Sequence, residues 1–185
     1  MITQIRNRLH RLKNIGFTLI EIIIVVFLFS IVSAALFSVL ASAKNSLNAG
    51  ESQVGVQQAC RNGLDAMIKE LRQAGVSTIT NVPANGTNYN TITFQIPTVI
   101  SAAGITWSSN VNYALGGLNG RQLLRLESGN QKVFANNISA LSFNRSATNP
   151  NVVNINITAQ KNTFPGFTAS QSTITVTSSV KLRNI

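Results

Sequence analysis

Hydrophobic and polar positions divide this chain into three stretches, each with its own period. From Phe17 to Leu40 the side chains are almost all apolar for 24 residues. As a helix rising about 1.5 Å per residue this run is about 36 Å long, enough to cross a hydrocarbon core of about 30 Å. Beyond it Leu47, Val54, Ala59, Cys60, Leu64, Met67, Ile68, Leu71 and Ala74 recur at mostly helical intervals among polar residues. That spacing predicts one helix that leaves the apolar stretch and continues as an amphipathic one with a single apolar stripe. Asp65 and Lys69 stand at i and i+4 in the favourable order, Lys69 and Arg72 suit the C-terminal end of the dipole, and Gly75 is placed to cap it. Gly50, Gly55 and Gly63 each lower helical preference by up to about 1 kcal/mol relative to alanine, which predicts a bend or a loosened turn near residues 50–55.

From Val76 onward the composition shifts to Asn, Thr, Ser and Gly, and the period falls to two. Residues 91–96 alternate as a strand that Pro97 ends, residues 97–110 read as a loop with Trp107 as an anchor, and 111–115 with 122–126 flank a Gly-rich hairpin turn. Further strands are predicted at 131–134, 138–143, 152–159 and 173–182, with turns at Asn149-Pro150 and Pro165-Gly166. Such strands need an apolar partner, and the stripe at 54–74 is the long one available. The fold class is therefore α+β: a long N-terminal helix packed on a C-terminal antiparallel sheet. The organisation is a basic leader at 1–16, an apolar helix at 17–43, its amphipathic continuation at 44–75 and a β-rich domain at 76–185.

Charge adds topology to this picture. The formal net charge of +10 includes Arg6, Arg8, Arg11 and Lys13, and removal of residues 1–16 lowers it to +6. Cations ahead of an apolar span place the N-terminus in the cytoplasm and the C-terminal domain on the far side. The remaining cations are scattered singly through residues 61–183 without interleaved aromatics, so nucleic-acid binding is possible but unsupported. Arg121, Arg125, Lys132, Arg145 and Lys161 would carry it if they converged on one face.

The inventory of catalytic groups is thin. His10 is the only histidine and lies in the leader, and Cys60 is the only cysteine, which excludes an intrachain disulfide and reads as a small buried residue. Triads and standard zinc sites fall away, so no catalytic residue, metal or cofactor is expected. A paired-carboxylate site would have to bring Glu127 against an acid of the helix. Gly116-Gly117-Leu118-Asn119-Gly120-Arg121 lacks the Gly-Lys-Ser/Thr ending of a phosphate loop and reads as a turn.

One acid stands apart. Between Lys13 and Lys44 the only ionisable side chain is Glu21, inside the apolar run. A charge there costs on the order of 3 kcal/mol, which makes it a functional candidate in need of a partner. Cutting the chain after Gly16 would supply one, because it frees the amine of Phe17 four residues earlier and helical side chains lean toward their own N-terminus. Gly16-Phe17-Thr18-Leu19-Ile20-Glu21, after a short basic leader and before an apolar helix, resembles the class III signal of type IV prepilins and type II secretion pseudopilins.

That resemblance implies a pilin-like fold, cleavage between Gly16 and Phe17 by a prepilin peptidase, N-methylation of Phe17, and a role for Glu21 and Phe17 in docking into a helical filament. It implies other pilin or pseudopilin subunits, an inner-membrane assembly platform and membrane lipid as partners. The implied location is the inner (cytoplasmic) membrane as a single-pass protein, followed by a pilus or pseudopilus filament. Ile68 to Gly75, Asn112 to Leu115, Leu123 to Leu126, Asn137 to Phe143 and Val180 to Asn184, in that order, look like minor pilins of the PilW type and pseudopilins of the GspJ type. Such subunits act in assembly initiation or at the filament tip. The chain departs from major pilins, which commonly carry a proline partway into the mature helix, where this chain reads Leu36-Phe37-Ser38-Val39-Leu40, and which often close a C-terminal loop by a disulfide. Two other readings stay open: a filament-tip binding module for DNA, surfaces or secreted substrate, and an uncleaved single-pass anchor of a β domain. A secretory signal fits less well, since its apolar region is about 7–15 residues long and Ala41-Ser42-Ala43 follows a longer run.

Overall fold

The computed structural model describes residues 16–164 and 167–183. The basic leader, His10, the Pro165-Gly166 turn and Asn184 lie outside the described residues. One α-helix, α1 (Leu19–Leu71), is followed by nine strands. The chain forms two compact units, Met1–Asn45 and Ser46–Ile185.

In the first unit α1 exposes its apolar side chains. Phe17, Ile20, Ile24, Phe27, Phe37 and Leu40 are all more than half exposed. This part of the helix is long and apolar enough to span a membrane, and none of that stretch is buried. One of its polar side chains is answered locally: the Ser30 hydroxyl donates to the Val26 carbonyl at 2.7 Å, one turn back.

In the second unit the buried positions of α1 are Ser52, Val56, Cys60, Gly63, Leu64, Met67 and Leu71. These recur every three or four residues; Cys60, Leu64, Met67 and Leu71 belong to the expected stripe, while Ser52, Val56 and Gly63 were not part of it. Leu47 and Val54 are 67% and 61% exposed, because Val54 stands about 200° around the helix from Ser52. Ser52 is tolerated inside by donating its hydroxyl to the Asn162 carbonyl. Gly63 is required by close approach, since a Cβ there would meet Leu123 at 2.8 Å and Ile157 at 3.1 Å. Helical geometry continues through Gly50 and Gly55, where a loosened turn was expected. Asp65 and Lys69 do not pair: among the described residues the ion pairs are those of Arg125.

Strands β1 (Ile92–Phe94), β4 (Val111–Gly116), β5 (Gln122–Glu127) and β6 (Asn130–Asn136) form one antiparallel sheet in the order β1-β4-β5-β6. A second sheet holds β7 (Ile138–Arg145), β8 (Val152–Phe164) and β9 (Phe167–Lys181) in sequential order. Inward side chains of both sheets, among them Phe94, Tyr113, Leu123, Phe143, Ile155 and Ile157, share one core with Val56, Cys60, Met67 and Leu71 of the helix. Each such large side chain, fully buried, contributes about 1.5–3 kcal/mol. The α+β layout expected from the sequence is thus present, with two antiparallel sheets and a separate hairpin where one sheet was anticipated.

That hairpin is β2 (Pro97–Ser101) with β3 (Gly104–Trp107), in the segment read as a loop. Pro97 starts β2, a position that tolerates the missing N–H, and Gly104 turns the chain at φ +130°. Gly75 is not a left-handed cap: its backbone is extended, at φ −77° and ψ 139°. The helix closes instead through bonds from the N–H of Gln73 to Glu70 and of Ala74 to Leu71. Gly75 pairs in parallel with Arg183 and lies under the Trp107 ring, where a Cβ would come within 2.3 Å.

Candidate functional site

Helix α1 starts at a designed terminus. The Thr18 carbonyl accepts from the N–H groups of Glu21 and Ile22, and its side-chain oxygen accepts the Glu21 N–H at 3.2 Å. Thr18 is therefore the N-cap, and Thr18-Leu19-Ile20-Glu21 has the spacing of a capping box. The local fold gives Glu21 a first-turn place where a carboxylate faces free N–H groups and the positive end of the dipole. The Thr-x-x-Glu spacing was legible in the sequence and was missed as a cap signal.

Gly16 and Phe17 precede the cap in non-helical, exposed backbone, and Phe17 is 77% exposed. A Cβ on Gly16 would meet nothing within 4 Å, so the fold of this chain does not demand glycine there. Glu21 has no basic side chain as a salt-bridge partner within 4 Å among the described residues. The peptide bond, the cap and the acid thus lie together on six consecutive residues, open to solvent.

The charged residues of the second unit are bound differently. The Arg125 guanidinium donates to Glu70 at 2.9 Å and to Glu127 at 2.7 Å, tying the end of α1 to β5. The helical acid and Glu127 do meet, but across a cation. Partial burial works against the Arg125 charge, yet the hydrogen bonds it donates to Glu70 and then Glu127 outweigh it and hold the group charged beyond its ordinary range. Beside them Tyr113 is fully buried, with its hydroxyl making no hydrogen bond. Burial, and then the Glu70 charge, pushes its phenol far up.

Arg145 is only 6% exposed and donates to the carbonyls of Pro150 and Val82. Its burial lowers its affinity for a proton below the usual guanidinium value. Lys132 lies over the Phe134 ring, with its Nζ 5.1 Å from the centroid. Arg121 and Lys161 remain exposed. The five cations do not form one free basic face, because Arg125 and Arg145 are committed to holding the fold. Cys60 is fully buried and its thiol points at the carbonyls of Ile157 and Ile174; burial pushes its pKa up. Among the described residues no group of three or more His, Cys, Asp or Glu converges as metal ligands would.

No curated protein and no solved structure matches this chain. Residues 11–37 match the prokaryotic N-terminal methylation motif, a stretch that takes in Gly16, Phe17, Thr18, Glu21 and the start of the exposed apolar helix, and that supports a precursor of the type IV pilin kind.

Proposed function

We propose that this chain is a structural minor subunit, a pilin or pseudopilin, of a type IV pilus or type II secretion filament. The observation that carries the reading is the coincidence of the methylation motif with an exposed Gly16-Phe17 bond and a lone acid one helical turn further on. Prepilin peptidase cuts between Gly16 and Phe17 and methylates Phe17. The product waits in the inner membrane with its β domain outside and then packs its apolar helix among those of neighbouring subunits. The exposed apolar face of residues 17–40 supports such packing, since no other described residue covers it.

In this reading Glu21 sets axial register. Its carboxylate meets the ammonium of Phe17 on a neighbouring subunit, an attraction that is strong where water is scarce. Function then resides in assembly initiation or in the filament tip, and the sheets face outward. Glu21→Gln and Glu21→Leu keep insertion and cleavage but lose incorporation into filaments, scored by immunoblot of sheared filaments; normal incorporation of both ends the proposed role. Gly16→Ala leaves the fold untouched, because the added methyl has free space, yet blocks processing. Mass spectrometry of the N-terminal peptide reads this directly: the parent chain begins at methylated Phe17, and a parent chain that begins at Met1 or at Lys44 removes the filament assignment.

A further inference from the structure

The second sheet turns an unusual face to solvent. Along β8 the side chains of Val153, Ile155, Ile157 and Ala159 point into the core, while those at 154, 156, 158 and 160 point out. Register aligns the outward positions in rows: Val152 with Lys181, Asn144 with Asn154 and Ser179, Ser142 with Asn156 and Thr177, Ala140 with Thr158 and Thr175, and Gln160 with Thr173. With Gln171, eleven of these positions are polar and uncharged: three Asn, two Gln, four Thr and two Ser. Charged residues make up 11% of this chain as a whole, so what sets the face apart is the ordering of its amides rather than the lack of charge. Cations stand only at the margins, Lys181 at the end of β9 and Arg121 hydrogen-bonded to Gln160 at the opposite end.

Strand propensity accounts for the threonines but not for the asparagines, which strands disfavour. The asparagines are organised. Ser179 donates to Asn154 at 2.7 Å, Asn154 to Asn144 at 2.9 Å, and Asn144 to Asn88 of the preceding loop at 2.8 Å. The chain of bonds fixes the amides around a shallow depression of about 160 Å³ lined by Asn88, Ser142, Asn144, Asn154, Asn156 and Thr177. Each amide and hydroxyl offers both a donor and an acceptor. Such an array neither attracts nor repels ions, and it matches a ligand whose own groups are donor and acceptor at once.

We propose that the outward face of β7–β8–β9 binds a neutral polyhydroxylated glycan, with the asparagine-lined depression holding one sugar unit and the threonine rows its neighbours. Direct and water-bridged hydrogen bonds supply the contacts. The surface belongs to the second unit alone and does not depend on the filament reading.

The test uses the full chain in detergent micelles on immobilised dextran, cellulose and chitin, with alginate and double-stranded DNA as anionic comparators. Retention on at least one neutral polysaccharide is expected, unchanged as salt rises, since no counterions are released. A variant carrying Asn144→Thr, Asn154→Thr and Asn156→Thr keeps its melting temperature, because threonine suits strands, and loses about tenfold or more in retention. Thr177→Lys, at the rim of the depression, serves as a second probe with the same expected loss. Glu21→Gln retains glycan binding whatever it does to assembly. Failure to bind any neutral polysaccharide, retention confined to alginate or DNA, or full retention by folded forms of both variants overturns the proposal.

Discussion

Tyr113 is where a single atom most clearly sets an energy. Its ring stacks on Phe94 with centroids 6.2 Å apart, so the ring itself is well used, while its sealed hydroxyl gains nothing. Tyr113→Phe is therefore expected to be neutral or to stabilise the fold by up to about 1 kcal/mol at neutral pH. The same burial gives a pH signature. A phenol raised in the folded state favours folding in full below its unfolded value of about 10, and that contribution fades as pH climbs past it. Alkaline urea titrations of the full chain in detergent should thus show a smaller stability loss above about pH 10 in Tyr113→Phe than in the parent. A loss of more than about 1 kcal/mol in the variant at neutral pH would instead reveal a hydrogen bond at that hydroxyl. Arg125 is the opposite case, since both its carboxylate partners depend on it. Arg125→Ala leaves Glu70 and Glu127 side by side without their cation and is expected to cost about 2 kcal/mol, with Arg125→Lys recovering only part because lysine lacks the fork that reaches both. Equal stability of Arg125→Ala and the parent in urea melts counts against this account.

At the scale of elements, helix α1 is read correctly from its period, and Cys60, Leu64, Met67, Leu71 and Ala74 of the expected stripe are buried; the N-terminal part differs, with Leu47 and Val54 uncovered and Ser52, Val56 and Gly63 buried instead. A serine and a glycine are invisible to a hydrophobic count, yet a strand backbone at Asn162 and the side chains of Leu123 and Ile157 require them. The β2–β3 hairpin was hidden because Pro97 read as a strand's end, although Thr98-Val99-Ile100 and Ile105-Thr106-Trp107 after it are strand formers. Trp107 links this hairpin to the end of the helix by lying across Gly75. Gly75→Ala forces that rigid ring away, an overpacking cost of about 1–3 kcal/mol. As Trp107 is the only tryptophan, its fluorescence reports the event: a red shift in the folded variant is expected, and an unshifted spectrum with unchanged stability argues against the contact.

Across the whole molecule, charge is spent on position more than on recognition. Arg125 ties α1 to β5 and Arg145 ties the β7–β8 turn to the loop at Val82, while the outer face of β7–β8–β9 is polar with a cation only at its end. The apolar segment of α1 is the complementary feature, a surface without cover inside one chain. Under the two proposals made above, neighbouring helices cover the one and a neutral polar ligand the other. Assembly assays on Glu21→Gln and glycan retention on the asparagine variant therefore probe separate surfaces, and their results should vary independently.

What the sequence determined by itself was local. Residues 11–37 carry the methylation motif, and the apolar run within and beyond it specifies a helix able to span a bilayer, because both depend on order along the chain alone. Alternation likewise located most of the strands. Only the tertiary structure decided that Ser52, Val56 and Gly63 complete the buried helical face, which cations are free, that Glu70 and Glu127 share Arg125, and that the polar residues of three strands align on one face. These are consequences of strand register and of backbone approach between residues far apart in sequence, and no period along the chain encodes them.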